Sequence, residues 1–228
     1  MTLTGIGLYA FPDASRLTRI PTRDLRRWLS GYTYRSKANG TPVSVPPLWQ
    51  TELADKGIDC IGFRDLLEVR FVQAFRSHGV SLQTIRLASH KARSLFGLDY
   101  PFSARRFRTD GRSIFVSALE EAGETRLLDL VRGQYAFRRI VEASLYHGIE
   151  FGDDDRATRW FPMRRSRAVV LDPNIAFGEP IVTDGCVPTT VLYHAFRADR
   201  DKGFVARVYE VPVAAVEAAI AFEEQLAA

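Results

Sequence analysis

Three arginines at helical spacing, Arg23, Arg26 and Arg27, are the side chains of this 228-residue sequence best placed for chemistry with a partner. A planar guanidinium fits the two oxygens of a phosphate and equally the O6 and N7 edge of guanine, so such a row suits a nucleic acid. Taken alone, it is equally consistent with the solvated basic face of an ordinary amphipathic helix. Thr22 adds a hydroxyl just before the row, and Arg35 and Lys37 follow it as further candidates for phosphate contact. Three consecutive acids, Asp153, Asp154 and Asp155, form the other dense cluster. Neighbouring carboxylates in a loop cannot all point at one ion, and no spaced histidine or distant carboxylate motif joins them, so a solvated turn after Gly152 is expected. Cys186 and His194 lack a third residue at ligand spacing. His78 stands before a helix-ending Gly79 as a cap-side residue, and His90 and His147 are isolated. The chain contains no nucleophile elbow, phosphate-cradling loop or dinucleotide fingerprint, so no catalytic residue, metal or cofactor is expected and the protein is read as a non-enzyme.

The elements that must position the arginines are legible around them. "FPDASRLTRIPTRDLRRWLSGY" reads as two short helices and a tight turn: Pro12 and Asp13 favour the start of the first, Pro21, Thr22 and Asp24 the start of the second, and Gly31 its end. Ala14, Leu17, Ile20, Leu25, Trp28 and Leu29 would bury between the two helices, which turns Arg23, Arg26 and Arg27 outward. "YTYRSKANGTPVSV" then alternates around Asn39 and Gly40, a hairpin signal. A hairpin after a helix-turn-helix is a wing, and Arg35 and Lys37 lie near its tip.

Two further helices are expected in "IGFRDLLEVRFVQAFRSHGVSLQTIRLASHKARSLFG". Phe63, Leu66, Leu67, Phe71, Ala74 and Phe75 mark the buried face of the first, and Ser81 caps a second that buries Leu82, Ile85, Ala88, Ala92 and Leu95. Asp110-Gly111 within "RRFRTDGRSIFVS" predicts a second hairpin, and residues 124–148 read as helical. Short strands follow at Trp160 to Met163, Val169 to Leu171 and Pro180 to Val182, then three helices near Thr189 to Arg197, Gly203 to Tyr209 and Val213 to Leu226. The last would carry Glu217, Glu223 and Glu224 on its outer face. The fold class is mainly α with short β hairpins: a winged helix-turn-helix followed by a small α/β C-terminal domain with a three-helix core.

Charge divides the chain. Residues 1–115 hold 18 Lys or Arg against 9 Asp or Glu, whereas residues 116–228 hold 13 against 18, within a net charge of +4. A basic part that meets nucleic acid and an acidic part that meets something else is the expected organisation. No run reaches the ~18 to 20 apolar residues of a membrane span, and the N-terminal residues lack the pattern of a signal peptide, so a cytoplasmic protein is expected. Cys60 and Cys186, the only cysteines, stand far apart and are expected as buried free thiols.

Two stretches carry family resemblances. "LTRIPTRDLRRWLSGY" and "FRDLLEVRFVQAFRSHGVSLQTIR", with the turn Gly79-Val80-Ser81-Leu82, resemble the DNA-binding head of MerR-type winged-helix regulators, with Asp24 where that family has threonine. "LDPNIAFGEPIVTDGCVPTTVLYHAF" and "YEVPVAAVEAAIAF" resemble a three-helix domain common in bacterial antitoxins, with Asp172-Pro173, Gly178, Pro180 and Pro188 matching and Asp184-Gly185-Cys186 replacing the usual Gly-Thr-Arg. The combination is similar to long VapB-type antitoxins, which partner VapC-like PIN-domain ribonucleases.

This resemblance implies a MerR-like winged-helix DNA-binding domain over residues 1–120, a connecting helical segment over 121–150 and an antitoxin-type domain over 151–228. It implies a homodimeric autorepressor that binds operator DNA through Thr22, Arg23, Arg26, Arg27, Arg35 and Lys37. Toxin binding or dimer contact would then fall to Asp153, Asp154, Asp155, Trp160, Phe161, Glu217 and Glu223. A MerR-like regulator sensing a small ligand is the alternative, with ligand-dependent DNA affinity and no protein partner.

Overall fold

A computed structural model describes residues 3–124 and 145–227; the connecting helix expected over 124–148 lies almost entirely outside the described residues. The first strand, β1 (Tyr9–Ala10), runs into α1 (Phe11–Thr18), where Pro12 occupies the first turn with Asp13 beside it. Arg19 turns the chain in the left-handed region at φ 59°, and α2 (Thr22–Ser30) follows. Ala14, Ile20, Leu25, Trp28 and Leu29 are buried as their spacing predicts, with Leu17 partly covered. Burial of these apolar side chains, each contributing roughly 1.5–3 kcal/mol when fully covered, fixes which way the arginines of α2 face.

Gly31 is required at the end of α2. Its φ is +73°, and a Cβ there would lie 2.5 Å from the carbonyl oxygen of Val45. The chain can therefore turn straight into β2 (Tyr32–Arg35), which pairs antiparallel with β3 (Pro42–Val45), Tyr32 opposite Val45 and Arg35 opposite Pro42. The hairpin loop is closed by Ser36 N–H donating to Thr41 O at 2.8 Å. Beyond it, Leu48 N–H donates to Trp28 O at 2.7 Å, and β4 (Cys60–Ile61) pairs back onto β1.

Helices α3 (Phe63–Ser77) and α4 (Leu82–Phe96) follow, the latter capped by Ser81 Oγ, which accepts from Thr84 N–H at 3.1 Å. Leu95, expected to be buried, is exposed because Phe96 packs against the core at the end of α4. The hairpin expected at Asp110-Gly111 is instead the interior of α5 (Phe107–Ala122). Phe107, Gly111, Ile114, Phe115, Ala118 and Leu119 recur at helical spacing and are all buried, and this period overrides the turn dipeptide. Gly111 leaves room for the ring of Phe107, which a Cβ would approach to 2.7 Å. Phe75, Phe102, Phe107 and Phe115 form one ring cluster, with Phe75 and Phe102 edge to face at 5.5 Å.

A four-stranded antiparallel sheet follows in the order β5 (Ile149–Phe151), β6 (Ala157–Trp160), β7 (Val169–Leu171), β8 (Pro180–Val182). The expected strand from Trp160 onward ends at Trp160 instead, and β5 escapes the sequence pattern. A register shift between Glu150 and Phe151, and the exposed pair Thr158 and Arg159, break the strict alternation on which such a reading depends. Helices α6 (Thr189–Asp199), α7 (Lys202–Val208) and α8 (Val213–Ala227) close the chain around buried Leu192, Val205, Val216 and Ala219. Asp201 caps α7 by accepting from Phe204 N–H at 3.0 Å.

The main core extends from Tyr9 to Trp160 and Leu171, so the helical head and the sheet share it. Leu8 N–H donates to Phe177 O at 2.8 Å, and Tyr9 OH donates to Gly178 O at 2.7 Å across the same junction. Neither cysteine is buried as expected: Cys60 is half-buried on β4, and Cys186 is exposed, in a turn at φ 55°.

Candidate nucleic-acid interface

The exposed face of α2 consists of Arg23, Arg26, Arg27 and Ser30, the i, i+3, i+4, i+7 positions left over once Leu25, Trp28 and Leu29 are buried. Thr22 is half-buried at the first helical position. Arg23 is the freest, with its side chain 80% exposed and 3.7 Å from Asp24. Arg27 lies over the ring of Tyr32 at 3.9 Å, which joins the helix face to the start of the hairpin. Arg26 sits over Phe11 at 4.2 Å and donates through both terminal nitrogens to Asp59, at 3.0 and 2.8 Å. That hydrogen-bonded pairing holds the Asp59 carboxyl below its usual range and Arg26 above its own. Arg35 is exposed at the end of β2, and Lys37 is exposed in the loop beyond.

The three arginines, Arg35 and Lys37 thus occupy one continuous helix-and-hairpin segment. Sequence reasoning missed Asp59, Phe11, Tyr32 and Arg86 as its supports. Asp59 is 33 residues from Arg26, and nothing in local spacing announces the pairing. Arg86 reaches from α4 to donate to Pro46 O at 2.9 Å and so anchors the exit of the hairpin.

Buried acids hold the base of this unit. Asp65 accepts from Trp49 Nε1 at 2.7 Å, Gly62 N–H at 3.0 Å and Glu52 N–H at 3.1 Å, while burial pushes its carboxyl up. Glu52 accepts from Arg64 N–H at 3.1 Å; burial first, then the charge of Asp65, pushes it up to about 7. Glu68, also pushed up to about 7 by burial, accepts from Phe102 and Ser103 N–H at 2.9 Å each.

Residues 7–89, which contain both short helices, the hairpin, α3 and much of α4, match the family described as "Putative DNA-binding HTH domain". "Putative antitoxin VapB45" of Mycobacterium tuberculosis (strain ATCC 25618 / H37Rv) is 30% identical over 216 residues, spanning 90% of this chain and 89% of that protein. The chain belongs to the VapB-type antitoxin family. The crystal structure of Rv2018 from Mycobacterium tuberculosis shares the fold, with a TM-score of 0.67 and 24% identity over 95% of this chain and 99% of that one.

In the C-terminal half of this VapB-type chain, the structure separates the seven expected contact residues into two groups. Asp153 and Asp154 are exposed, and Glu217 is exposed and paired with Lys202 at 3.0 Å. The other four face inward, contrary to expectation. Asp155 pairs with Arg106 and lies 4.0 Å from Arg105, and its carbonyl accepts from Arg105 N–H. Trp160 is buried beneath Arg70, and Phe161 is buried beneath Arg167. Glu223 is only 4% exposed and accepts from Thr189 Oγ1 at 2.5 Å and Arg16 at 3.2 Å. The face of α8 that turns inward carries Ala215, Val216, Ala219, Ile220 and Phe222 and continues through Glu223, whose charge is met by a cation of α1. Among the described residues, no three His, Cys, Asp or Glu side chains group as metal ligands, and no helix is long and apolar enough to cross a membrane.

Proposed function

We propose that this antitoxin-family protein binds the operator of its own operon through α2 and the hairpin, and neutralises a VapC-like PIN-domain ribonuclease through its C-terminal half. The observation that carries the DNA limb is the outward row Arg23, Arg26 and Arg27 directly followed by a hairpin bearing Arg35 and Lys37. A second helix of a helix-turn-helix enters the major groove, and a wing rests on the flanking backbone. Arg23 and Arg27 reach base edges or phosphates, while Arg35 and Lys37 neutralise phosphates and release counterions. A two-fold dimer with one head per half-site would meet half-sites ~34 to 36 Å apart.

The toxin limb rests on family membership and on charge. A ribonuclease is basic where it holds RNA, and the C-terminal half of this chain is acidic, which speeds encounter and favours register. Of the acids expected to make that contact, Asp153, Asp154 and Glu217 are exposed. Co-expression with the product of the neighbouring open reading frame, expected to be a small PIN-like protein, tests it. Stable co-purification and suppressed RNA cleavage are expected; a purified mixture in which RNA is cleaved at the toxin's full rate contradicts it. DNA affinity that responds to a small molecule, with no protein partner retained, would favour the ligand-sensing alternative.

A further inference from the structure

The Arg26–Asp59 pair sits within the proposed DNA surface, yet it fills the part of Arg26 that DNA would use. Both terminal nitrogens of the guanidinium are engaged by the two Asp59 oxygens, and the flat face lies on Phe11. The placement is built into the fold: Ala10 pairs with Cys60 in the β1–β4 ladder, so the residue after Ala10 (Phe11) and the residue before Cys60 (Asp59) are held together beneath α2. Asp59 is 71% exposed, so its carboxylate stands at the surface beside Arg26.

We infer that Asp59 is a specificity-determining residue which cancels the charge of Arg26 in sequence-independent binding and leaves its guanidinium available to a guanine edge. The inference rests on the DNA reading above. Closed, the pair is close to electrically neutral and adds nothing to sequence-independent binding, which is carried by charge neutralisation and counterion release. An exposed ion pair is weak, so a bidentate arginine–guanine contact replaces it at the specific site, whereas moving Arg26 onto a phosphate leaves the Asp59 carboxylate unpaired beside the backbone and brings no net gain in charge neutralisation. Asp59 acts by holding back non-specific affinity while leaving the specific contact available. Arg23 and Arg27 carry the binding that is common to all sequences.

Fluorescence anisotropy tests this on the full chain, using the duplex upstream of its own gene and a scrambled duplex across a salt series. Asp59→Asn is expected to bind the scrambled duplex more tightly, with a slope of log K on log salt steeper by about 0.9, and to show a lower ratio of specific to non-specific affinity. The double variant Arg26→Ala/Asp59→Asn is expected to return the scrambled-duplex slope to the wild-type value, a recovery that a merely structural role for Asp59 would not produce. An unchanged slope in Asp59→Asn, or a double variant that keeps the steeper slope, overturns the role of Asp59. If wild-type binding still depends on Arg23 and Arg27, that failure leaves the DNA reading standing. A wild-type chain that binds neither duplex overturns both.

Discussion

The residues of α2 divide into those that hold the helix down and those left for a partner, and this division was legible in the sequence. Leu25, Trp28 and Leu29 bury as their spacing demands, and Arg23, Arg26 and Arg27 remain outside. What spacing could not reveal is that Arg26 already has a carboxylate from a distant loop, because pairing between residues remote in sequence leaves no periodic trace. Arg23→Ala and Arg27→Ala are each expected to weaken binding to every duplex and to flatten the salt slope by up to about 0.9, measured by anisotropy. Glu52 gives a separate test at the same scale. Its carboxyl is raised from 4.5 to about 7, so the folded state retains a proton that the unfolded state releases. The stability it contributes is full below pH 4.5 and is lost as pH rises through about 7, a change of at most roughly 3 kcal/mol. Glu68 acts in the same direction. Urea denaturation at pH 5 and pH 8 should show a smaller loss for Glu52→Gln than for the wild type.

At the scale of elements, helices with a long apolar period were readable, and a short turn dipeptide proved misleading where it lay inside one. Asp110-Gly111 resembles a hairpin tip, but the buried series Phe107, Gly111, Ile114, Phe115, Ala118 and Leu119 makes α5 continuous. The strands were harder because β6 buries only its two ends and β5 carries a register shift. The hairpin after α2 was anticipated, and its angle depends on Gly31. Gly31→Ala places a methyl group 2.5 Å from the Val45 carbonyl at a positive φ, so the hairpin must move away from α2. Its expected signature is DNA affinity reduced by about tenfold or more, the loss that ~1.4 kcal/mol produces, with most of the helical circular dichroism retained.

Across the whole molecule, the basic and acidic halves are joined more closely than sequence alone implied. The main core includes Trp160 and Leu171 together with the helices of the head, and Arg16 of α1 reaches Glu223 of α8. Helical spacing from Val216, Ala219 and Ile220 puts Glu223 on the inner face, and only its acidic side chain made it read as an outer residue like the exposed Glu224. Glu223→Ala removes the acceptor of the buried Thr189 hydroxyl and the partner of Arg16, and should cost about 1–3 kcal/mol in urea denaturation. The larger claim is that α2 of this VapB-type protein is its DNA-reading surface, and binding to the duplex upstream of its own gene tests this most directly. The wild type is expected to bind it with a Kd of about 10⁻⁸ M or tighter, at least ~10³-fold tighter than a scrambled duplex at physiological salt. Arg23→Ala/Arg26→Ala/Arg27→Ala is expected to lose that preference while remaining folded. A triple variant that binds the upstream duplex as tightly and selectively as the wild type would contradict it.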